Sequence, residues 1–443
     1  MTRLTIPLSW RPMLWAILGG LLVLFTIIAV TTAIKGKASD FFCFYEAAVA
    51  AKDGRNLYGM DVRKGGYIYP PLLAMLLVPL AHLPANAAAL VWKLGTIGLM
   101  IVATLLAAGE TRRRFSLPVE PNGGLAVAAL AWLLLADKIV AELQLGQCDF
   151  LLIIPFVLGL RWMERKPWAA GAVLGFAFHI KYLALIFLPY LIVRGRWKMA
   201  GSMLASIAFF AILPSLYFGW ETNLSYLQSA FQGMDRMAQG QTAEGAASVA
   251  ANIYPIQWIR SVSFPSVGAR VSDAMEMGSW VMPAMVSVLA LAILIVAWSM
   301  YTAHRQPLFS GRLFTDDDRE PARPTVVLLE WCGLITAALL FSPQTTARHM
   351  ILLFPVFFAA AQLVLRARAG TARLPVALGL AVLLLALTLP PGGGNSAALN
   401  AWRWVGGASW ALTAMYLIFL AAGLWEARAI ASERRLSSAP RGA

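Results

Sequence analysis

Four short stretches carry the residues able to do chemistry in this chain. The first opens Ser39-Asp40-Phe41-Phe42-Cys43-Phe44-Tyr45-Glu46 and runs on through Gly54-Arg55-Asn56-Leu57-Tyr58 to Tyr67-Ile68-Tyr69-Pro70-Pro71. The second is Glu142 to Asp149, with Gln144 and Gln147 flanking Gly146. The third is His179-Ile180-Lys181, and the fourth is Ser342-Pro343-Gln344 followed by Arg348-His349. Asp40 offers a lone pair to a departing proton, although Glu142 and Asp149 are carboxylates that can compete for that role. Lys181, Arg348, His349 and His179 offer positive charge to a developing anion. The amides Gln144 and Gln147, and more weakly Asn252, suit sugar hydroxyls, and the glutamines equally suit an ordinary turn. Other bland readings stand beside these. Tyr and Pro next to apolar runs also describe an interfacial aromatic belt and a helix start, and Arg348-His349 a snorkelling pair.

The elements that must position these residues are apolar helices. Of the 443 residues, 59% are hydrophobic and 13% charged, about half the charged fraction of a soluble domain. So few charges cannot cover a water-facing surface, so most of the surface must face lipid. Leu14 to Ile34 is apolar apart from three Thr and is long enough for a hydrocarbon core of about 30 Å at about 1.5 Å per residue. It exceeds a signal-peptide core and lacks a small-residue cleavage site, so a retained helix is expected. The pattern predicts an all-α polytopic protein of about twelve spans: 13–34, 86–108, 122–138, 149–161, 168–180, 181–193, 199–219, 279–303, 324–342, 346–367, 374–391 and 408–427. Both flanks of 168–193 are basic, so the chain must turn back near His179-Ile180-Lys181.

The net charge of +14 reads as topology rather than as affinity for nucleic acid. Of the 36 Lys and Arg, 22 fall in segments that this topology places in the cytoplasm, Arg112-Arg113-Arg114 and Arg161, Arg165, Lys166 among them. The positive-inside rule weighs such short basic loops most. Both termini are therefore expected in the cytoplasm, with the polar stretches on the outer face of the plasma membrane. Two outer loops are long, 35–70 and 220–278, and long loops of ordinary composition are usually functional. Residues 1–443 read as a single membrane domain without internal repeats. Cys43, Cys148 and Cys332 lack metal or redox spacing, though Cys43 and Cys148 share the oxidising side and a disulfide between them is conceivable. The run Asp316-Asp317-Asp318 sits among Arg residues and reads as a solvated loop. Glu330 lies inside a span, where Lys93 is one available partner.

Taken in order, the first stretch is specific. Asp40, an aromatic-Ala helix, Gly-x-Asn-x-Tyr, Tyr-x-Tyr-Pro-Pro and Leu-Leu-x-x-Leu-x-x-Pro-Leu resemble the polyprenyl-phosphate-dependent mannosyltransferases of glycosyltransferase family 87. Gln144-Leu145-Gly146-Gln147, Lys181 with Pro189, and Ser342-Pro343-Gln344 with Arg348-His349 extend the resemblance over roughly residues 39 to 355. It implies a GT-C architecture with the active site on the outer, periplasmic face. The donor would be a polyprenyl-phosphate-linked sugar, most often mannose, and the acceptor a glycolipid or glycan within the lipid membrane. Asp40 matches the family's general base, acting with inversion at the anomeric carbon. Lys181, Arg348, His349 and His179 would meet the donor phosphate. Tyr45, Glu46, Asn56, Tyr58, Tyr67, Tyr69, Gln144, Gln147 and Asn252 would line the sugar and acceptor. No cofactor is implied, and the outer segments contain no Asp-x-Asp to hold a metal. A secondary transporter or a flippase of lipid-linked glycans is the alternative, since 168–193 reads as a broken pair; internal repeats, frequent in that class, are not evident. A non-catalytic membrane scaffold or lipid-binding subunit is a third reading.

Overall fold

A computed structural model describes residues 8–58, 67–115, 123–238, 255–278, 280–303, 322–343, 345–366, 373–390, 394 and 396–438. The helices are α1 (Arg11–Ile34), α2 (Ser39–Lys52), α3 (Pro71–Leu77), α4 (Ala85–Arg114), α5 (Gly123–Leu134), α6 (Ala136–Leu145), α7 (Phe150–Trp162) and α8 (Pro167–Ile180). There follow α9 (Phe187–Val193), α10 (Trp197–Ile212), α11 (Ser215–Phe218), α12 (Trp220–Ala238), α13 (Phe264–Ala274) and α14 (Val281–Ala303). The last are α15 (Ala322–Phe341), α16 (Phe354–Arg366), α17 (Arg373–Thr388), α18 (Ala397–Trp404) and α19 (Gly407–Ser438). Among the described residues there is no strand, and the single isolated bridge joins Ser261 to Thr346. The all-α reading holds. Asn252, Gln344 and Asp316–Asp318 lie outside the described residues.

Seven helices are long and apolar enough to cross a membrane, and the pair α5–α6, bent by 62°, makes an eighth candidate. Val288, Leu291 and Ile295 on α14 are more than half exposed, which only a lipid surroundings tolerates across a whole helix face. Each of the twelve predicted spans is helical, but 150–162, 167–180, 182–193 and 376–388 are shorter than a full crossing. At about 1.5 Å per residue, the 13 residues of α7 reach roughly 20 Å, against about 36 Å for the 24 of α1. A further apolar helical piece, Pro71–His82, falls where no span was predicted. Pro71 sits at its start, and the Tyr67 hydroxyl accepts from the Ala74 N–H (3.1 Å) while donating to Pro70 O (2.6 Å). One orphan donor of the first turn is thus satisfied.

The turn expected at His179–Lys181 is present: α8 ends at Ile180, Lys181 is extended (φ −150°, ψ 139°), and a 3-10 turn Tyr182–Ile186 leads into α9. Helix α8 lies tightly on α10. A Cβ on Gly171 would stand 2.2 Å from Met199 O, and one on Gly175 2.5 Å from the Ser206 Cβ. Ser202 and Ser206 donate back to Trp168 O and Ala172 O (2.6 and 2.8 Å). Small residues and short cross-helix hydrogen bonds are what hold helices together where lipid removes the hydrophobic drive.

The helix ends sort into two groups. At one end Arg114 bonds Glu110 (2.8 Å) and Glu164 (2.7 Å), Arg113 bonds Glu110 (2.6 Å), and Thr325 donates to Arg114 O (2.8 Å). The other end gathers α2, the end of α6, the start of α7, the end of α8 and the turn before α16. Glu330, offered Lys93 by the sequence, takes other partners. It accepts from Arg194, Tyr190 (2.7 Å) and Tyr301, side chains of α9 and α14. Lys93 instead reaches Thr32 and the Lys37 carbonyl, because α4 packs on α1. None of the three cysteines is in a disulfide, so the structure has no Cys43–Cys148 bridge.

Candidate active site

Asp40 stands in the first turn of α2, where the helix dipole favours a carboxylate, and Ser39 Oγ donates to its Oδ1 at 2.9 Å. Its other oxygen, Oδ2, accepts from Arg348 Nη1 at 2.8 Å and from the Gln147 amide. The Gln147 carbonyl oxygen in turn accepts from Lys181 Nζ at 3.3 Å, and Lys181 is ion-paired with Asp149. The Asp149 N–H donates to Glu142 Oε1 at 2.8 Å. Six side chains, from α2, α6, the α6–α7 link, the end of α8 and the turn before α16, thus form one continuous polar chain.

Exposure divides it. The side chains of Asp40 and Arg348 are 25% and 33% exposed, whereas Asp149 and Lys181 are almost wholly enclosed (1% and 8%). Glu142 is buried too. Of the three carboxylates, Asp40 alone presents an oxygen to an incoming molecule. Arg348 adds a second signal. Its Nε is buried and has no hydrogen-bond partner among the described residues, a departure from the usual satisfaction of buried donors. Removing either member of the enclosed Lys181–Asp149 pair would leave an uncompensated charge; the pair stiffens the floor of the site.

Local sequence explains the geometry. Gly146 closes α6 in the left-handed conformation (φ +72°), its N–H donating to Glu142 O at 2.9 Å. A Cβ there would lie 2.5 Å from the Phe41 Cβ, so the absent side chain lets the 146–147 link press against α2 and lets Gln147 reach Asp40. Arg348 rides on a 3-10 turn, Ala347–Leu353, whose cap is Thr346. His349 Nδ1 accepts from the Thr346 N–H at 3.0 Å, so this ring secures the turn that presents Arg348. The preceding link is braced from the second long loop. Val262 donates to Thr345 O (2.6 Å), Ser266 to Pro343 O (3.2 Å), and Arg270 to Trp258 O and Ser261 O (3.2 and 3.1 Å).

The other residues singled out in the sequence divide. Tyr69 lies beside the cluster, its phenol close enough to feel Lys181, Asp40 and Arg348, and its ring packed on Phe44 (5.3 Å). Burial raises its pKa well above the ordinary range, so it stays a hydroxyl donor. Tyr58 donates to Tyr69 O (2.6 Å), Asn56 Oδ1 accepts from the Tyr58 N–H (3.0 Å), and Tyr45 donates to Leu83 O (2.7 Å). With Tyr67 these three stand as props of the first loop. Glu46, six residues after Asp40, is half-buried on another face of α2, and Gln144 is exposed. His179 is not brought to the cluster. Its Nε2 meets Ile207 O at 2.8 Å and its ring lies against Phe178 and Phe210, because the last turn of α8 faces α10.

Beside the cluster an apolar cleft of ≈ 450 Å³ runs between Pro71–His82, α4 and α7, lined by Leu76, Leu80, Trp92, Leu99 and Leu151, with Gln147 on its wall. Trp92 was missed by sequence reasoning. A tryptophan beside a lysine in an otherwise apolar span was the available signal, since a charge inside a membrane helix is costly and tends to be functional.

Among the described residues, then, apolar helices gather a partly exposed carboxylate and guanidinium beside an apolar cleft. Residues 67–315 match glycosyltransferase family 87, and the chain belongs to that family. It is similar to the polyprenol-phosphate-mannose-dependent alpha-(1-2)-phosphatidylinositol mannoside mannosyltransferase of Mycobacterium tuberculosis, 28% identical over 215 residues, 45% of this chain and 49% of that one. The chain thus spans about half the length of this curated relative. The family match includes Gln147 and Lys181 and excludes Asp40 and Arg348, which join the site through the fold.

Proposed function

We propose that this chain moves a sugar, mannose, from a polyprenyl phosphate to a hydroxyl of a glycolipid or glycan acceptor at the outer face of the inner membrane. The observation that carries the reading is the pairing of Asp40 with Arg348, the two partly exposed members of an otherwise enclosed polar cluster. In this reading Asp40 takes the proton of the acceptor hydroxyl as its oxygen attacks the anomeric carbon. The bond from that carbon to the phosphate oxygen breaks on the opposite face, and its electron pair leaves with the lipid phosphate, so the configuration inverts. Arg348 has one nitrogen, Nη1, on Asp40, and a third of its side chain is exposed to an incoming phosphate. A guanidinium can hold base and leaving phosphate at once, which an ammonium cannot do with fixed geometry. Lys181, held by Asp149 and Gln147, acts at one remove by orienting Gln147. The apolar cleft that ends at Gln147 suits an isoprenoid chain, and Tyr69 stands where a sugar hydroxyl would need a partner.

Purified protein, given a panel of polyprenyl-phosphate sugars and native membranes as acceptor, should transfer a hexose that mass spectrometry detects. Asp40→Asn should lower turnover by about 10²-fold or more, about 2.7 kcal/mol of transition-state stabilisation, with the melting temperature retained. Glu46→Gln and Glu142→Gln serve as comparators. Near-normal turnover in Asp40→Asn with collapse in Glu142→Gln would move the base to Glu142.

A further inference from the structure

Two consecutive residues of α4 face the two halves of the site. The Trp92 Nε1–H donates to Gly146 O at 3.0 Å and to Gln147 O at 3.2 Å, and its ring lies 5.6 Å from Phe41 and 6.1 Å from Phe44. Lys93 Nζ donates to Thr32 Oγ1 at 2.6 Å and to Lys37 O at 2.7 Å. The side chain of Lys93 is wholly buried, and among the described residues no carboxylate pairs with it. Neighbouring residues on a helix point about 100° apart, so one rigid helix grips two different partners. The first is the α6–α7 link that carries Gln147. The second is the elbow from α1 to α2, three residues before Asp40.

The elbow needs a grip. Helix α1 ends in a turn where Gly36 has φ +63° and the Lys37 N–H reaches back to Thr32 O at 2.8 Å. The Thr32 hydroxyl itself donates to Ile28 O at 2.6 Å, so it can accept from Lys93 without conflict. An ammonium at the C-terminal end of α1 also answers the negative end of its dipole. The structural cost runs the other way: a buried ammonium with two neutral acceptors is costly to bury, and an apolar side chain of equal length would be cheaper. A residue that costs stability while fixing the backbone beside the proposed base points to a positioning role.

We propose that Trp92 and Lys93 form a clamp on α4 that sets the separation of Asp40 from Gln147 and Arg348, Lys93 by holding the Lys37 carbonyl and Trp92 by holding the 146–147 carbonyls. This rests on the reading of Asp40 as the base. The test measures turnover, KM for the lipid donor and melting temperature for Lys93→Met, Lys93→Arg and Trp92→Phe, the first also in an Asp40→Asn background. Trp92→Phe keeps an aromatic ring against Phe41 and removes only the N–H. Lys93→Met should melt at or above the wild-type temperature while turnover falls about 10- to 10²-fold, the scale of an ångström's misplacement, with KM changed less than twofold. Lys93→Arg should recover part of the turnover, and Trp92→Phe should lose several-fold. In the Asp40→Asn background Lys93→Met should add no further loss. Unchanged turnover in both Lys93→Met and Trp92→Phe overturns the clamp and leaves Asp40 standing; so does a loss that persists undiminished without Asp40, or one that tracks a lowered melting temperature. Near-normal turnover in Asp40→Asn alone overturns the base assignment, and the clamp with it.

Discussion

Gly146→Ala is a sharp test of how the site is assembled, because the structure separates its two costs. The first is conformational. Gly146 has φ +72°, and an alanine in the left-handed region costs about 1–2 kcal/mol. The second is steric. The new Cβ would sit 2.5 Å from the Phe41 Cβ, where ordinary contact needs 3.4–4 Å. The α6–α7 link and the first turn of α2 must therefore part by roughly 1 Å, and overpacking of this kind costs about 1–3 kcal/mol. The collision falls one residue away from each member of the Gln147–Asp40 hydrogen bond, so parting the two segments disturbs that contact. Gly54→Ala supplies the control. Gly54 has φ +67°, and nothing lies within 4 Å of its would-be Cβ, so it carries the conformational cost alone.

Both variants would be purified into nanodiscs, melted, and assayed for transfer at saturating donor and acceptor, with turnover expressed per folded molecule. Gly146→Ala is expected to lose about 2–5 kcal/mol of stability as the sum of the two terms, and turnover by up to about 10²-fold. Gly54→Ala is expected to lose about 1–2 kcal/mol and to keep its turnover within about twofold. Equal turnover in the two variants would refute the idea that the approach of the 146–147 link to α2 sets the catalytic geometry, whatever their melting temperatures.

Two further outcomes follow. In a background lacking Cys43, Cys148 and Cys332, cysteine at Gly54 should react with an impermeant thiol reagent in intact cells while cysteine at Ser310 should not; the reverse pattern would invert the orientation and the proposed outer-face site. Lys181→Met and Asp149→Asn should each destabilise by about 3–5 kcal/mol, because each strands a buried partner. The double variant Lys181→Met/Asp149→Asn should regain most of that stability without regaining transfer, and a strictly additive loss, measured by thermal melting in a double-mutant cycle, would show that the pair is not coupled.

Much of the site was legible because polar groups at the ends of apolar runs have few places to go. Asp40, Gln147, Lys181 and Arg348 each follow or precede a hydrophobic stretch, and alternation of basic flanks put those ends on one side before any coordinates did. What the sequence could not supply was direction at the last turn of a helix. His179 and Lys181 are two residues apart, yet the helix ends between them. His179 is carried toward α10 by helical geometry, while the extended Lys181 turns into the site. Partner choice inside the membrane was equally hidden. Lys93 and Glu330 look like a pair in one dimension, but α4 packs on α1, and Glu330 is answered by Arg194 from α9.

The sequence located the apolar runs but not which of them are shorter than a full crossing. A hydropathy window assumes that a helix must cross about 30 Å, and α7 and α8, of 13 and 14 residues, do not. The residues that border them, Asp149 before α7 and Lys181 after α8, both belong to the polar cluster. In the proposed reaction a lipid phosphate would meet Arg348 while its isoprenoid chain lies among Leu76, Leu80 and Leu151 along the neighbouring cleft. Short helices that border a polar cluster beside an apolar cleft suit a substrate with a charged headgroup and an apolar tail, as the proposed reaction requires; α7 and α8 are strongly apolar, and length rather than hydropathy sets them apart.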